Sequence, residues 1–226
     1  MPSVLFVLTS ADTNLVGGQT GYYLPEAAHP YYTLAPHVSI DFASPKGPNP
    51  PVDQGSVEAF KDDESVKFLS DETVKSKLAK AKQLSTVNVK DYDAILYVGG
   101  HGPVIDLPND PANIKFASEF YQSGKIVGAV CHGPAALLNA VDAEGKPIYS
   151  GKEFTGFSNA EEEAVQKVNQ AIPFLLETEF TKRGGKYTKA EQLWAPKVVI
   201  DGNLYTGQNP ASAKPLGEAI LKKLQK

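Results

Sequence analysis

Apolar residues in this chain cluster in short runs that are typical of buried strands. The first run, residues 4–8, contains no polar position, as expected for a strand covered on both faces of a parallel sheet. Three further strands are predicted at residues 38–43, 94–98 and 126–130, and a short fifth strand at 154–157. This order of runs predicts a largely parallel sheet.

Helical spacing of apolar positions occurs between the predicted strands. Residues 70–82 carry apolar side chains three and four positions apart among lysines. Asp110 is a typical N-cap for a proline-initiated helix over residues 111–124, and further helices are predicted at 160–170 and 211–224. Because strands and helices alternate, the chain is predicted to have an α/β fold built from βαβ units.

Three segments depart from this alternation. Residues 53–71 are polar, and we expect a solvated surface loop there, the alternative being a small lid. Pro25 and Pro30 predict a short or kinked helix near the end of the first strand. The segment 197–206 surrounds an Asp-Gly-Asn turn and predicts an antiparallel hairpin at the sheet edge.

Composition narrows the class of protein. The 226 residues carry 22 basic and 26 acidic side chains, a net charge of −4, which argues against a nucleic-acid or anionic-membrane binder. One cysteine allows no internal disulfide and no thiolate-rich zinc site. The apolar N-terminal run is too short for a signal peptide or a membrane span. We therefore expect a cytoplasmic protein, small enough to enter the nucleus.

The single cysteine, Cys131, follows the fourth predicted strand directly. Gly133 and Pro134 come next, and then a predicted helix start at residues 135–138. This strand–turn–helix order is a nucleophile elbow in general form. Ligands of open α/β sheets bind beyond the carboxyl ends of the strands, and a helix N-terminus lowers the pKa of a nearby thiol. The pattern therefore predicts a reactive thiolate, the alternative being a buried and inert cysteine.

Glycines and histidines near the predicted strand ends are further candidates. Gly99 and Gly100 end the third strand, where backbone N–H groups could form an oxyanion site with the N–H that follows Cys131. The alternative is a plain strand-ending turn. His29 and His101 are interpreted as pocket-wall or core histidines rather than as catalysts.

The residues around Cys131, 129–135, resemble the elbow of the ThiJ/PfpI superfamily, especially its glutathione-independent glyoxalases (glyoxalase III) and related stress chaperones. Four other segments are similar to that subgroup and lie in the expected order along the chain: Gly21 with residues 26–30, then 99–102, 155–158 and 206–212. The resemblance implies a single domain over residues 1–226, related to class I glutamine amidotransferases. It implies a flavodoxin-like three-layer sandwich with a nucleophile elbow and a C-terminal hairpin, and a homodimer.

The resemblance also implies roles for three residues near the cysteine. His132 would move the proton of the thiol, and Glu162 would orient the imidazole. Glu161 and Glu163 flank Glu162, so a shift of one position is open. Only one of the three glutamates can face the pocket, because neighbours on a helix point about 100° apart, and the other two are expected in solvent. Glu26 would be a carboxyl beside the cysteine, with a pKa raised by burial.

The activity that the resemblance implies is conversion of methylglyoxal, a small 2-oxoaldehyde, to D-lactate through a hemithioacetal of Cys131. Such an enzyme is a lyase of the glyoxalase III type. No metal or organic cofactor is expected, since the sequence has no P-loop, dinucleotide fingerprint or metal cluster. Alternatives within the superfamily are a protein deglycase, a holdase chaperone or a redox stress protein, and an amidase or peptidase ranks below them.

Overall fold

Strands and helices alternate along the chain in the computed structural model, which describes residues 1–165 and 170–226. The strands are β1 (Ser3–Val7), β2 (Ser39–Ser44), β3 (Lys82–Gln83), β4 (Ala94–Tyr97), β5 (Ile126–Val130), β6 (Glu153–Phe154), β7 (Lys186–Tyr187), β8 (Val198–Asp201) and β9 (Leu204–Gly207). The helices are α1 (Leu24–Leu34), α2 (Gln54–Ala59), α3 (Asp63–Ser70), α4 (Glu72–Ala79), α5 (Gly102–Asp106), α6 (Pro111–Gln122), α7 (Asn159–Val165), α8 (Leu176–Lys182) and α9 (Ala213–Leu224).

Within the described part of the chain, seven strands form the central sheet, in the order β3-β2-β1-β4-β5-β9-β8. All neighbouring pairs are parallel except β8 and β9, which form the predicted antiparallel hairpin at one edge. A separate pair of short parallel strands, β6 and β7, lies outside this sheet. The α/β fold predicted from the alternation of elements is therefore confirmed, and so is the flavodoxin-like arrangement that the resemblance implies.

Both faces of the sheet are covered, which explains the continuous apolar runs. In β1, Val4 and Phe6 belong to the core that also includes residues of α1 and α9, whereas Leu5 and Val7 belong to the core that includes residues of α6. All four side chains are fully buried. Burial of each such side chain contributes about 1.5–3 kcal/mol relative to leaving it in water. The central strands are consequently a rigid base for the residues at their carboxyl ends.

The predicted loop at residues 53–71 is wrong, because this segment forms α2 and α3. Two of its acidic residues are the N-caps of these helices: Asp53 accepts a hydrogen bond from the N–H of Ser56, and Asp62 accepts one from that of Ser65. Phe68 of α3 is buried among the aromatic rings that cover one face of the sheet. A few buried positions therefore anchor two short helices in a segment whose composition is that of a loop.

Several predicted boundaries also move. The helix expected at residues 70–82 is α4, which starts after the N-cap Asp71 and ends at Ala79. The strand expected at 154–157 is β6, which begins one residue earlier and ends at Phe154, so residues 155–157 are not in a strand. The first two residues expected in the helix at 211–224 belong to a short 3-10 turn, and α9 itself begins at Ala213.

The helix expected at residues 160–170 corresponds to α7, which begins one residue earlier, at Asn159. Its predicted continuation over residues 166–169 lies outside the described residues, and Gln170 lies in a turn. Among the described residues, none of the helices has the length and apolar character that crossing a membrane requires.

Candidate active site

Cys131 lies at the turn that follows β5, with its backbone in a strained conformation. Its φ is 58°, in the left-handed region that residues other than glycine rarely adopt. Such a conformation costs about 1–3 kcal/mol and persists only where the surrounding structure enforces it. Gly133 contributes to this enforcement, because a Cβ added there would lie 2.3 Å from the carbonyl oxygen of Tyr97 in the neighbouring strand. The turn aims the sulfur toward the carboxyl ends of the strands.

The segment after this turn differs from the prediction. It is a 3-10 turn of five residues, Gly133–Leu137, and not the start of an α-helix, so it supplies no substantial helix dipole. Burial, together with the nearby carboxyl of Glu26, raises the pKa of the Cys131 thiol well above its ordinary value. The prediction of a lowered thiol pKa is therefore wrong, and the sulfur carries its proton until a base removes it.

His132 lies beside the sulfur and is oriented to remove the thiol proton. Its Nδ1 is 3.3 Å from Cys131 Sγ, and its Nε2 contacts Oε1 of Glu162. Burial and the neighbouring imidazole of His101 lower the pKa of His132, although Glu162 opposes them. The ring is thus neutral near pH 7. Because Nε2 donates its hydrogen to the carboxylate, Nδ1 is free to accept the thiol proton.

Glu162 is the glutamate of the run at 161–163 that reaches the imidazole. It lies in the first turn of α7 with its side chain 1% exposed. Burial would raise its pKa, but His132 and His101 outweigh this effect and lower the pKa to about 2. The carboxylate therefore stays ionised and holds the His132 ring in one tautomer.

His101 lines the same pocket, as the sequence led us to expect, but it also has a contact that the sequence did not reveal. Its Nε2 lies 3.2 Å from the same Glu162 oxygen that contacts His132, and the centres of the two rings are 4.4 Å apart. The only sequence signal for this contact is the position of His101 in the turn after β4, beside the carboxyl end of β5. His29, by contrast, forms a pair with Asp62 at 2.9 Å and does not line the pocket.

The two glutamates that flank Glu162 have different environments. Glu163 is exposed, as expected. Glu161 is fully buried, so its predicted exposure to solvent is wrong. It accepts hydrogen bonds from the N–H and hydroxyl of Ser158 and from the side-chain amides of Gln208 and Asn209. Glu161 therefore joins the start of α7 to the loop after β9 and supports the position of Glu162.

We expect Glu161→Ala to destabilise the protein by about 3 kcal/mol, because it leaves buried donors without an acceptor. This corresponds to a fall in melting temperature of roughly 6–12 °C for a chain of this size. Glu163→Ala, an identical change at an exposed position, should shift stability by no more than about 0.5 kcal/mol. Thermal unfolding followed by circular dichroism checks both values, and equal melting temperatures for the two variants would contradict the structural role of Glu161.

Glu26 approaches the sulfur from the opposite side, in α1. Pro25 lies in the first turn of this helix and Pro30 lies inside it, yet α1 extends over 11 residues. Glu26 is fully buried, and neither carboxyl oxygen has a hydrogen-bond partner of normal geometry among the described residues. Burial raises its pKa well above the ordinary value, although the Cys131 thiol and the Gly99 N–H partly oppose this. A neutral carboxylic acid therefore faces the cysteine.

Gly99 and Gly100 have different surroundings. A Cβ at Gly99 would lie 2.3 Å from Oε2 of Glu26 and 2.7 Å from Cβ of Cys131, so only glycine allows these side chains to meet. The N–H of Gly99 faces the Glu26 carboxyl, whereas the N–H of Gly100 faces the sulfur and favours its ionised form. Of the two predicted oxyanion donors, Gly100 is the one directed at the sulfur.

A cavity of about 90 Å³ opens onto the sulfur. Its lining consists mainly of aromatic and other apolar side chains together with the two histidines: Tyr23, Gly100, His101, Cys131, His132, Phe157, Val165, Trp194 and Pro210. The indole of Trp194 is 42% exposed, and its ring centre is 5.8 Å from that of Phe157. Tyr23 and Val165 carry no signal in the sequence, because a single residue of either kind forms no motif. The cavity has room for a small molecule only.

Two named glyoxalases are similar to this chain along nearly its whole length. Glutathione-independent glyoxalase HSP31 of Saccharomyces cerevisiae is 33% identical over 219 residues, which cover 93% of this chain and 92% of the yeast protein. Glyoxalase 3 of Candida albicans is 31% identical over 232 residues, or 98% of each chain.

Solved structures agree with this similarity. Rapid Encystment Protein 24 KDa of Francisella tularensis superposes with a TM-score of 0.92 at 39% identity over 99% of each chain. Glyoxalase III from Candida albicans superposes with a TM-score of 0.86 at 30% identity, over 98% of this chain and 96% of its own. The resemblance inferred from the sequence is thereby confirmed. Because residues 26–223 also match the DJ-1/PfpI family, this chain belongs to that family.

Proposed function

We propose that this protein is a glutathione-independent glyoxalase that converts methylglyoxal to D-lactate. The observation that carries the proposal is the contact of the Cys131 thiol with the Nδ1 of His132, at 3.3 Å, beside the buried acid Glu26. The glyoxalases among the relatives support the same reaction class. The small cavity suits a short 2-oxoaldehyde, which a thiol attacks readily at the aldehyde carbon.

The first step is addition of the sulfur to the substrate. His132 accepts the thiol proton at Nδ1, and the thiolate forms a bond to the aldehyde carbon, C1. The resulting alkoxide takes the proton back from His132, so the product is a neutral hemithioacetal. The N–H of Gly100 faces the sulfur and stabilises charge there.

The second step moves hydrogen between the two substrate carbons, and we assign it to Glu26. As a neutral acid it protonates the ketone oxygen at C2. The carboxylate that remains is strongly basic because it is buried, and it removes the hydrogen of C1, which gives an enediol. Glu26 then returns this proton to C2 and takes the proton of the C1 hydroxyl. The product is a thioester of Cys131 with a lactyl group.

Hydrolysis completes the cycle. His132 accepts a proton from water, which attacks the thioester carbon, and the thiolate leaves. The imidazolium then returns the proton to the sulfur. The net reaction is methylglyoxal plus water to lactate, and each proposed step uses only side chains that line or adjoin the cavity.

The test is to incubate the purified protein with methylglyoxal in the absence of glutathione and to measure D- and L-lactate with stereospecific dehydrogenases. Equimolar conversion of methylglyoxal to D-lactate is expected. Loss of methylglyoxal without lactate would contradict the proposal.

A parallel reaction with glycated protein distinguishes a glyoxalase from a deglycase. When free aldehyde is trapped, only a deglycase would continue to remove adducts from the protein.

Glu162→Gln should lower kcat by about 10²–10⁴-fold while the protein stays folded. The neutral amide no longer stabilises the imidazolium that forms in each proton transfer, and its NH₂ group competes with the Nε2–H for the same space. The initial rate of lactate formation and the melting temperature should be measured together. Glu163→Gln is the matched control, and an equal kcat for the two variants would contradict the role of Glu162.

A further inference from the structure

The side of His132 that faces away from the sulfur forms a second cluster of donor atoms. Oε1 of Glu162 contacts Nε2 of His132 and lies 3.2 Å from Nε2 of His101. One donor atom from each of the three residues lies within 4.8 Å of the other two. Cys131 lies outside this cluster, because its sulfur faces Nδ1 on the opposite edge of the His132 ring.

One spacing within this cluster matches that of two ligands on a transition-metal ion, whereas Nε2 of His132 and Oε1 of Glu162 are closer together and would have to separate to hold an ion. Zinc bonds to imidazole nitrogen and carboxylate oxygen are about 2.0–2.1 Å long, so two donors of a tetrahedral site lie roughly 3.3 Å apart. The distance between His101 Nε2 and Glu162 Oε1 is close to this value. Two imidazoles and one carboxylate also favour zinc over magnesium or calcium, which prefer oxygen ligands.

The surroundings of Glu162 provide a second, independent indication that this cluster can bind a cation. Its side chain is 1% exposed, and its second oxygen, Oε2, is buried with no hydrogen-bond partner among the residues that the structure describes. Within residues 1–165 and 170–226, only the two histidines lie within ion-pairing distance of this carboxylate, and no lysine or arginine does. A buried carboxylate with an unsatisfied oxygen is costly, and a bound dication would remove that cost.

The cluster is accessible from the cavity. His101 is 24% exposed and lines the cavity, whereas His132 and Glu162 are almost completely buried. A hydrated ion that enters the cavity would therefore meet His101 first and then exchange water for the two buried ligands. With three protein ligands, a tetrahedral ion has a fourth ligand position that faces the cavity, and water would occupy it.

We propose that His101, His132 and Glu162 form a binding site for Zn²⁺. From the proposed function it follows that zinc at this site inhibits turnover. An imidazole that coordinates zinc through Nε2 loses the hydrogen from that atom and, as a neutral ring, carries its hydrogen on Nδ1. Nδ1 of His132 then donates to Cys131 and cannot accept the thiol proton. The metal thus removes the general base without touching the sulfur.

Zinc binding is measured on the metal-free protein without substrate, by competition with a chromophoric chelator. We compare wild type, His101→Gln, Cys131→Ala and His29→Gln, the last a matched histidine change outside the cluster. Wild type, Cys131→Ala and His29→Gln are expected to bind one ion with the same affinity. His101→Gln should bind at least about 100-fold more weakly. Circular dichroism confirms that each variant is folded.

Cobalt substitution identifies the ligands by a second route. Co²⁺ in this site should give visible d–d absorption without a near-ultraviolet thiolate-to-cobalt charge-transfer band. A charge-transfer band, loss of binding in Cys131→Ala, or unchanged binding in His101→Gln would overturn the proposed ligand set. Failure of the wild type to bind zinc at micromolar concentrations would overturn the site itself.

The inhibitory effect is tested separately from binding. Lactate formation by the wild type should fall as zinc saturates the site, and a chelator should restore it. Full activity of the zinc-saturated protein would overturn the inhibition but not the site. A metal-free protein that forms no lactate would instead contradict the proposed glyoxalase activity, and the binding measurements would still decide the zinc site.

Discussion

Cys131→Ala is expected to form lactate from methylglyoxal about 10³-fold more slowly than the wild type, or slower still. Without the sulfur no hemithioacetal forms, and His132 and Glu26 have no bound adduct on which to act. The loss should appear in kcat rather than in stability, because alanine fits the volume of the turn. The rate is measured as the initial rate of D-lactate formation under saturating methylglyoxal.

A second variant is needed as a control for the backbone. Because Cys131 has a φ of 58°, a substitution there can alter the turn as well as remove the thiol. Cys131→Ser keeps the shape and replaces the thiol with a poorer nucleophile. It should also lose most of the activity while unfolding at a temperature close to that of the wild type. Turnover within about tenfold of wild type in either variant would contradict a covalent route through the sulfur.

Glu26→Gln should lower kcat by about 10²–10⁴-fold and at the same time raise stability at neutral pH. The loss of activity follows from the loss of the acid and base that move hydrogen between C1 and C2. The gain in stability follows from burial, because the folded protein keeps this carboxyl neutral where the unfolded chain would ionise it. An amide has no such penalty.

The effect of Glu26→Gln on stability changes with pH. The pKa of Glu26 is raised in the folded state, so its contribution to stability is fully present below the ordinary pKa of 4.5. The contribution is lost as the pH rises from that value toward the folded-state pKa. The melting temperature of Glu26→Gln minus that of the wild type should therefore increase between pH 4.5 and pH 8. Each kcal/mol of difference corresponds to roughly 2–4 °C in a chain of this size.

Glu163→Gln makes the same chemical change on the exposed side of α7 and provides the control for both measurements. Its melting temperature relative to the wild type should stay constant across this pH range. A Glu26→Gln protein whose relative stability fell with rising pH would show that the carboxyl is ionised in the folded state. Unchanged turnover in that variant would remove Glu26 from the mechanism.

Much of the fold follows from local patterns in the sequence. The continuous apolar runs predict β1, β4 and β5 to within a residue, since strands covered on both faces need no polar positions. The N-cap Asp110 predicts the start of α6, because the carboxylate accepts a hydrogen bond from the N–H of Ala112. The hairpin of β8 and β9 follows from its turn residues. These features depend on interactions between residues that are close in the sequence.

Other features depend on contacts between residues that are distant in sequence, and these became visible only in the folded chain. Phe68 packs on β2 and α1, which turns a segment of loop-like composition into helices. The thiol pKa is likewise set by burial and by Glu26, which lies more than a hundred positions away from the cysteine.

The run of three glutamates at 161–163 illustrates the same division within the site. The order of residues shows that the three acids follow the β6 region, and helix geometry allows only one of them to face the cysteine turn. The tertiary structure decided that Glu162 reaches His132, that Glu161 is held by the loop after β9 and that Glu163 is exposed. This is because the hydrogen-bond partners come from the turn after β4, the loop after β9 and the cysteine turn, and no local pattern in the sequence records where these segments lie relative to α7.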